Sequence, residues 1–322
     1  MMRQFVNNKV AFVAMEVSSH ALSQGRVNGT EFDIAVFTNL TQDHLDYHGD
    51  MARYAAAKKR LFDCDTLRGG VVNIDDPIGQ EIVAEKSSRY TMITYAMHQP
   101  ADVMAHDIQC VEAGFKVDVE TPWGRSVFDV PLLGHFNIYN CLAVIGVLGL
   151  LQVPFESMPS LIAQLQPPPG RMEVYSTPDS ATIVVDFAHT PDALKQALLT
   201  LRSNCDGRLV CVFGCGGDRD QDKRIEMGRV ASALCDGVIV TNDNPRNEDP
   251  RGIADAICEG IDQNKLMCIE LDRRLAIRKA ITLAGKDDLI LIAGKGFESE
   301  QIIGDKVLPF NDGIVVKETL DL

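Results

Sequence analysis

The chain is short of several things, and each shortage narrows what it can be. No apolar run is long enough to cross a bilayer: the longest, 141–151, is about half of the ~20 residues a spanning helix needs. The opening Met1-Met2-Arg3-Gln4 leads into mixed sequence with no apolar signal core. None of the nine cysteines forms CxxC, and the closest pair, Cys211 and Cys215, has no histidine beside it. Scattered, odd-numbered thiols point to reduced cysteines and a cytoplasmic setting. Positive charge is scarce: 31 Lys and Arg against 45 Asp and Glu leave a net charge of −14. An acidic surface repels a phosphate backbone, which excludes a nucleic-acid partner. The excess is spread along the chain and reads as a solvated surface. There is no internal repeat, no low-complexity stretch and no G-x-G-x-x-G fingerprint, so a dinucleotide oxidoreductase is disfavoured.

What is present suits a folded α/β protein. The 322 residues allow about two domains, and 46% hydrophobic content supports sizeable cores. Apolar runs at 10–15, 34–38, 70–74, 182–185, 209–213, 237–241 and 289–293 each end in a polar turn and read as buried strands. Helical patterns, such as 193–201 and 224–234, fall between many of them, which predicts a mainly parallel sheet arrangement. Residues 103–130 instead show short alternating segments around Pro122-Trp123-Gly124 and predict an antiparallel patch. The stretch Gln166-Pro167-Pro168-Pro169-Gly170-Arg171 is a stiff linker, because three prolines cannot continue a helix. The expected domains are therefore 1–167 and 168–322.

Candidate chemistry gathers where strands end. Asp243-Asn244-Pro245-Arg246 leaves the run at 237–241, the place where an open α/β sheet puts its ligand. A carboxylate and a guanidinium in one turn can hold a zwitterion. Gly214-Cys215-Gly216-Gly217-Asp218-Arg219 and Gly294-Lys295-Gly296-Phe297-Glu298 follow strands in the same way. If those strands are parallel, Arg219, Asp243, Arg246 and Glu298 share one crevice. Two cations and two anions suit an amino acid with two ammonium and two carboxylate groups. Lysine, lacking the second carboxylate, would leave an Arg unpaired. Upstream, Glu16-Val17-Ser18-Ser19-His20 is either a cation or phosphate site or a Ser-rich helix cap. The dense polar loop 37–49 carries Asp43, His44 and Asp46, while Lys58 lies on what reads as an ordinary basic helix face.

Taken together and in order, EVSSHAL, TNLTQDHLDYHG, GHFNIYN, GRME, DFAHTPDAL, FGCGGDRDQDKR, DNPR and AGKGFE resemble the Mur ligases, ATP-dependent amide-forming enzymes of peptidoglycan synthesis. The resemblance implies a central ATPase-type parallel-sheet domain followed by a Rossmann-like C-terminal domain. It implies ATP as co-substrate, and Mg2+ held by Glu16, His44 and Lys58, the last as a carbamate. It also implies two small-molecule substrates, UDP-MurNAc-dipeptide and meso-diaminopimelate. Ser18, Gln24 and Arg26 would contact the UDP-sugar peptide, and Asn137, Asn140, Arg171 and Asp186 the nucleotide. Arg219, Asp243, Asn244, Pro245, Arg246, Gly294 and Glu298 would contact diaminopimelate. Phe297 stands where the family usually has His. No membrane insertion is expected, and a monomer is. The sequence contains no G-x-x-x-x-G-K-[ST], a loop the family carries ahead of EVSSH together with a uridine-nucleotide domain. The expectation is that this chain alone turns over weakly or not at all, the alternative being a non-catalytic diamino-acid-binding fragment.

Overall fold

Two six-stranded sheets follow one another along the chain. The computed structural model describes residues 2–111, 114–177, 180–203 and 205–322. The first sheet contains β1 (Ile34–Phe37), β2 (Gly69–Asn73), β3 (Thr91–Ala96), β4 (Val103–Val111), β5 (Gly114–Thr121) and β6 (Gly124–Val130), in that spatial order. β1 to β4 pair in parallel, and β4, β5 and β6 pair antiparallel. The second sheet contains β7 (Glu173–Tyr175), β8 (Thr182–Asp186), β9 (Leu209–Phe213), β10 (Gly237–Val240), β11 (Leu266–Ile269) and β12 (Leu289–Ala293). Its order is β11-β10-β9-β12-β8-β7, parallel except for β7. A hairpin of β13 (Glu300–Ile303) and β14 (Lys306–Pro309) follows.

The burial pattern explains why the strands were readable. β2, β9, β10 and β12 are buried at every residue, as strands covered on both faces must be. In β9, Leu209, Cys211 and Phe213 pack on one side with the helices Pro191–Arg202, Asp222–Leu234 and Pro250–Cys258. Val210 and Val212 face the other side with the helices Arg273–Leu283 and Asp312–Leu320. β6 alternates exposed and covered residues, as an antiparallel strand with one wet face does. The helix His135–Leu150 covers the first sheet through Ile138, Leu142 and Ile145.

The strand expected at 10–15 does not form. That stretch has no regular structure, and Val10, Phe12, Val13 and Met15 are 44 to 74% exposed. A strand needs a hydrogen-bonded neighbour, and β1, at the edge of its sheet, is paired with β2 alone. Apolar content and β propensity are present at 10–15, but the pairing that would use them is not. The sequence reading also passed over β3, β7 and the hairpin, whose short runs are broken by polar residues, and β11, whose Leu-Met-Cys-Ile run is apolar but only four residues long.

Candidate active site

The order β10-β9-β12 sets the loops after these three strands side by side at the C-terminal edge of the second sheet. Glycine makes their close approach possible. A Cβ on Gly214 would lie 2.1 Å from the Thr241 carbonyl, and one on Gly294, whose φ is +115°, would lie 2.7 Å from Asp243 Oδ2. Asp243 is only 9% exposed, yet among the described residues no hydrogen bond reaches its carboxylate. Arg246 adopts the left-handed region at φ +50° and donates from Nη1 to the Gly217 carbonyl at 2.8 Å. Arg219 donates to its neighbour's carbonyl, Asp218 O, at 3.2 Å. Neither guanidinium has a carboxylate partner among the described residues. Gly216 lies between the two, since a Cβ there would be 2.9 Å from Arg246 Nη1 and 3.7 Å from Arg219 Cγ. Pro245 closes the loop, its carbonyl 1.9 Å from where a Gly217 Cβ would be.

Two of the residues read from the sequence are already engaged. Glu298 Oε2 accepts from Lys295 Nζ at 2.6 Å and from Asn244 Nδ2 at 2.9 Å. Asn244 Oδ1 accepts from the Ile302 amide and from Lys295. The crevice is therefore not a set of four free charges: Asn244 is a bracket between loops, and Glu298 keeps one oxygen for anything else. Sequence reasoning missed Lys295, which is fully buried, because its partners lie 3 and 51 residues away on a turn and a different loop. It also missed Arg273, whose fork meets Asp312 in a fully buried pair. Arg273 also donates to the carbonyls of Asn242 and Ala293, fixing the ends of the two loops that carry Asp243 and Gly294. A basic residue on a helix gives no signal of such a role in sequence.

At the first sheet, Ser18 caps the helix Ser19–Ser23, accepting from the Ala21 amide at 3.2 Å, so the helix-cap reading holds. Gln24 ends that helix and Arg26 follows in an exposed turn. Glu16 is exposed in the irregular stretch before them. His44, in the left-handed region at φ +56°, has Nε2 3.5 Å from Asp43 Oδ2. Lys58, in the helix Met51–Lys59, has its ammonium 5.4 Å from the Tyr54 ring centroid and no ion pair among the described residues. Burial pushes the Lys58 pKa down, against the pull of Glu16, Asp43 and Asp76. Burial also lowers His44. Among the described residues no three His, Cys, Asp or Glu side chains converge as a ready metal cage.

The two halves meet at Asp43. Its Oδ2 lies 3.6 Å from His189 Nε2, and Lys223 Nζ donates to the His189 carbonyl at 3.0 Å. Burial would raise the Asp43 pKa, but His189, His44 and Lys223 outweigh it and hold the carboxyl well below the usual range. Asp186 is buried and accepts from the Met172 and Ala188 amides at 2.8 Å each, tying the linker to β8. Burial raises its pKa. Arg171 stacks over Phe187 at 4.6 Å, and Phe187 stacks on Phe297 at 5.1 Å. Asn137 donates to the Leu133 carbonyl and accepts from Asn140, so both amides are used within the start of their helix.

Residues 1–148 match the Mur ligase middle domain, and residues 170–296 match the Mur ligase, glutamate ligase domain. A UDP-N-acetylmuramoyl-L-alanyl-D-glutamate--2,6-diaminopimelate ligase of Coxiella burnetii is 50% identical over 96% of this chain and 64% of its own length. The protein of the same name from Thermosynechococcus vestitus is 47% identical over 94% of this chain and 61% of its own. A solved structure bearing that name is similar with a TM-score of 0.65 and 37% identity, covering 99% of this chain and 66% of the other. The chain thus spans a little under two thirds of the curated relatives it matches.

Proposed function

The chain belongs to the Mur ligase family, and from that premise we propose that it serves an ATP-dependent ligase joining meso-diaminopimelate to UDP-N-acetylmuramoyl-L-alanyl-D-glutamate in peptidoglycan synthesis. ATP phosphorylates the γ-carboxylate of D-glutamate to an acyl phosphate. An amine of diaminopimelate attacks that carbonyl, and inorganic phosphate leaves from the tetrahedral intermediate. The observation that carries the reading is the crevice at the tips of β9, β10 and β12. Loop by loop along that edge come Asp243, a nearly buried carboxylate that no hydrogen bond reaches among the described residues, and Arg219 and Arg246, two guanidiniums without carboxylate partners among them.

Asp243 takes an ammonium group, while Arg219 and Arg246 take the two carboxylates. The second oxygen of Glu298 takes the remaining ammonium, with Gly294 leaving room for it. Ser18, Gln24 and Arg26 contact the UDP-sugar peptide, and Asn137, Asn140, Arg171 and Asp186 the nucleotide. Glu16, His44 and Lys58 would hold Mg2+ only with Lys58 as a carbamate, since its ammonium would repel the ion. The depressed basicity of Lys58 suits that change, because the free amine is the form that adds CO2. The ion would neutralise charge on the phosphates. With the domain boundary at 167/168, bending at the linker brings Arg171 and Asp186 onto the nucleotide and excludes water from the acyl phosphate. The working form is a cytoplasmic monomer. No helix among the described residues is long and apolar enough to cross a membrane.

The test has two parts. Calorimetric titration of this chain with meso-diaminopimelate and L-lysine should show preference for the first. Phosphate release with ATP, Mg2+ and the nucleotide dipeptide, in the same family member at the length of its relatives, should depend on diaminopimelate. Equal binding of the two amino acids, or release that ignores which one is added, refutes the reading.

A further inference from the structure

The four ionic side chains assigned above to the amino acid, Arg219, Arg246, Asp243 and Glu298, carry no net charge between them. Lys295 changes that balance. It is fully buried between Gly294 and Gly296, whose φ angles of +115° and +50° turn the chain so that residue 295 points inward. Its ammonium lies 2.6 Å from Glu298 Oε2 and 3.1 Å from Asn244 Oδ1. Asn244 in turn donates to the same Oε2 at 2.9 Å. A triangle of Lys, Asn and Glu therefore fixes one carboxylate oxygen and leaves the other, Oε1, without a hydrogen bond among the described residues, on a side chain that is 33% exposed.

We propose that Lys295 is a specificity-determining positioning residue, which makes the crevice net positive and so selects an amino acid with a second carboxylate. The proposal rests on the amino-acid reading above and adds to it. Whatever the protonation of the two amines, diaminopimelate carries one more negative charge than lysine. A buried cation is screened little by solvent, so its field reaches the ligand. Against a net positive crevice lysine meets an unmatched charge as well as an unfilled Arg. Lys295 need not touch the ligand. It acts through the field and through Glu298, whose carboxylate it aims and partly neutralises, so that Glu298 alone does not draw in any diamine.

The experiment compares dissociation constants for meso-diaminopimelate and L-lysine in the unaltered chain, K295M, E298Q and K295M/E298Q, with thermal unfolding recorded for each. K295M keeps length and apolar stem and removes the charge. The expected result is a fall of about tenfold or more in the diaminopimelate-to-lysine preference, comparable to the worth of one charge-assisted hydrogen bond. The double variant removes the pair as a unit, so it strands no buried carboxylate. It should bind both ligands more weakly while keeping its preference, because the crevice is again net positive. An unaltered preference in K295M overturns the proposal and leaves the amino-acid reading standing. So does a vanished preference in K295M/E298Q; should K295M alone fail to fold, E298Q, which leaves the Lys295 charge without its carboxylate, must raise the preference, and no rise in it overturns the proposal. If the unaltered chain binds both amino acids alike, the amino-acid reading and the proposal fall together.

Discussion

At the residue scale the first sheet turns on one lysine. Lys58 has no ion pair among the described residues, and its burial lowers its pKa, shifting the balance towards the neutral amine. A free amine adds CO2, and the resulting carbamate would be an anion beside Glu16 and His44. Chemical-shift monitoring with 13C-labelled bicarbonate is expected to show a carbamate signal at neutral pH that K58A lacks. The sign follows from the shift: the signal grows as pH rises and the amine is freed, and fades as pH falls and the ammonium returns. A signal that persists in K58A assigns the carbamate elsewhere. Nothing in the pattern at 53–62 marks this lysine in sequence, because its environment is assembled from Glu16, Asp43 and Asp76 on other segments.

At the scale of elements, the linker is gripped by the loop after β12. Gly170 has φ +66°, and a Cβ there would lie 2.1 Å from the Phe297 amide nitrogen and 2.2 Å from the Gly296 carbonyl carbon. G170A should therefore cost about 2 kcal/mol or more through backbone strain and displaced backbone, read as a lowered denaturation midpoint. An unchanged midpoint would mean that the loop yields freely. The prolines before Gly170 were legible as a linker, but its contact with residues more than 120 positions away was not. The strands at 209–213 and 289–293 were legible for the opposite reason: burial on both faces writes itself as an unbroken apolar run. The run at 10–15 carried a similar signal and failed, because a strand is completed by a neighbour and not by its own composition.

At the scale of the whole molecule, the first sheet's loop 37–49 reaches the second unit through Asp43 and His189. His189 Nδ1 lies 2.9 Å from the Phe187 carbonyl, so its other nitrogen is left for Asp43. D43N removes the carboxylate that draws the two units together. It is expected to enlarge the radius of gyration measured by small-angle scattering, with H189A giving a similar increase and the double variant little more. Identical scattering curves for all four proteins would show that the contact does not hold the units in place.

The sequence by itself determined the α/β class, most of the parallel strands, the linker and the motifs that align with the Mur ligases, because each is written in neighbouring residues as periodicity, prolines or ordered short runs. Tertiary structure alone decided that residues 10–15 stay unpaired, that Asn244 and one oxygen of Glu298 are already used, and that Lys295 and Arg273 sit buried behind the crevice. Those outcomes depend on which distant groups come within a few ångströms, and a buried charge acquires its meaning only from the partner that folding brings to it.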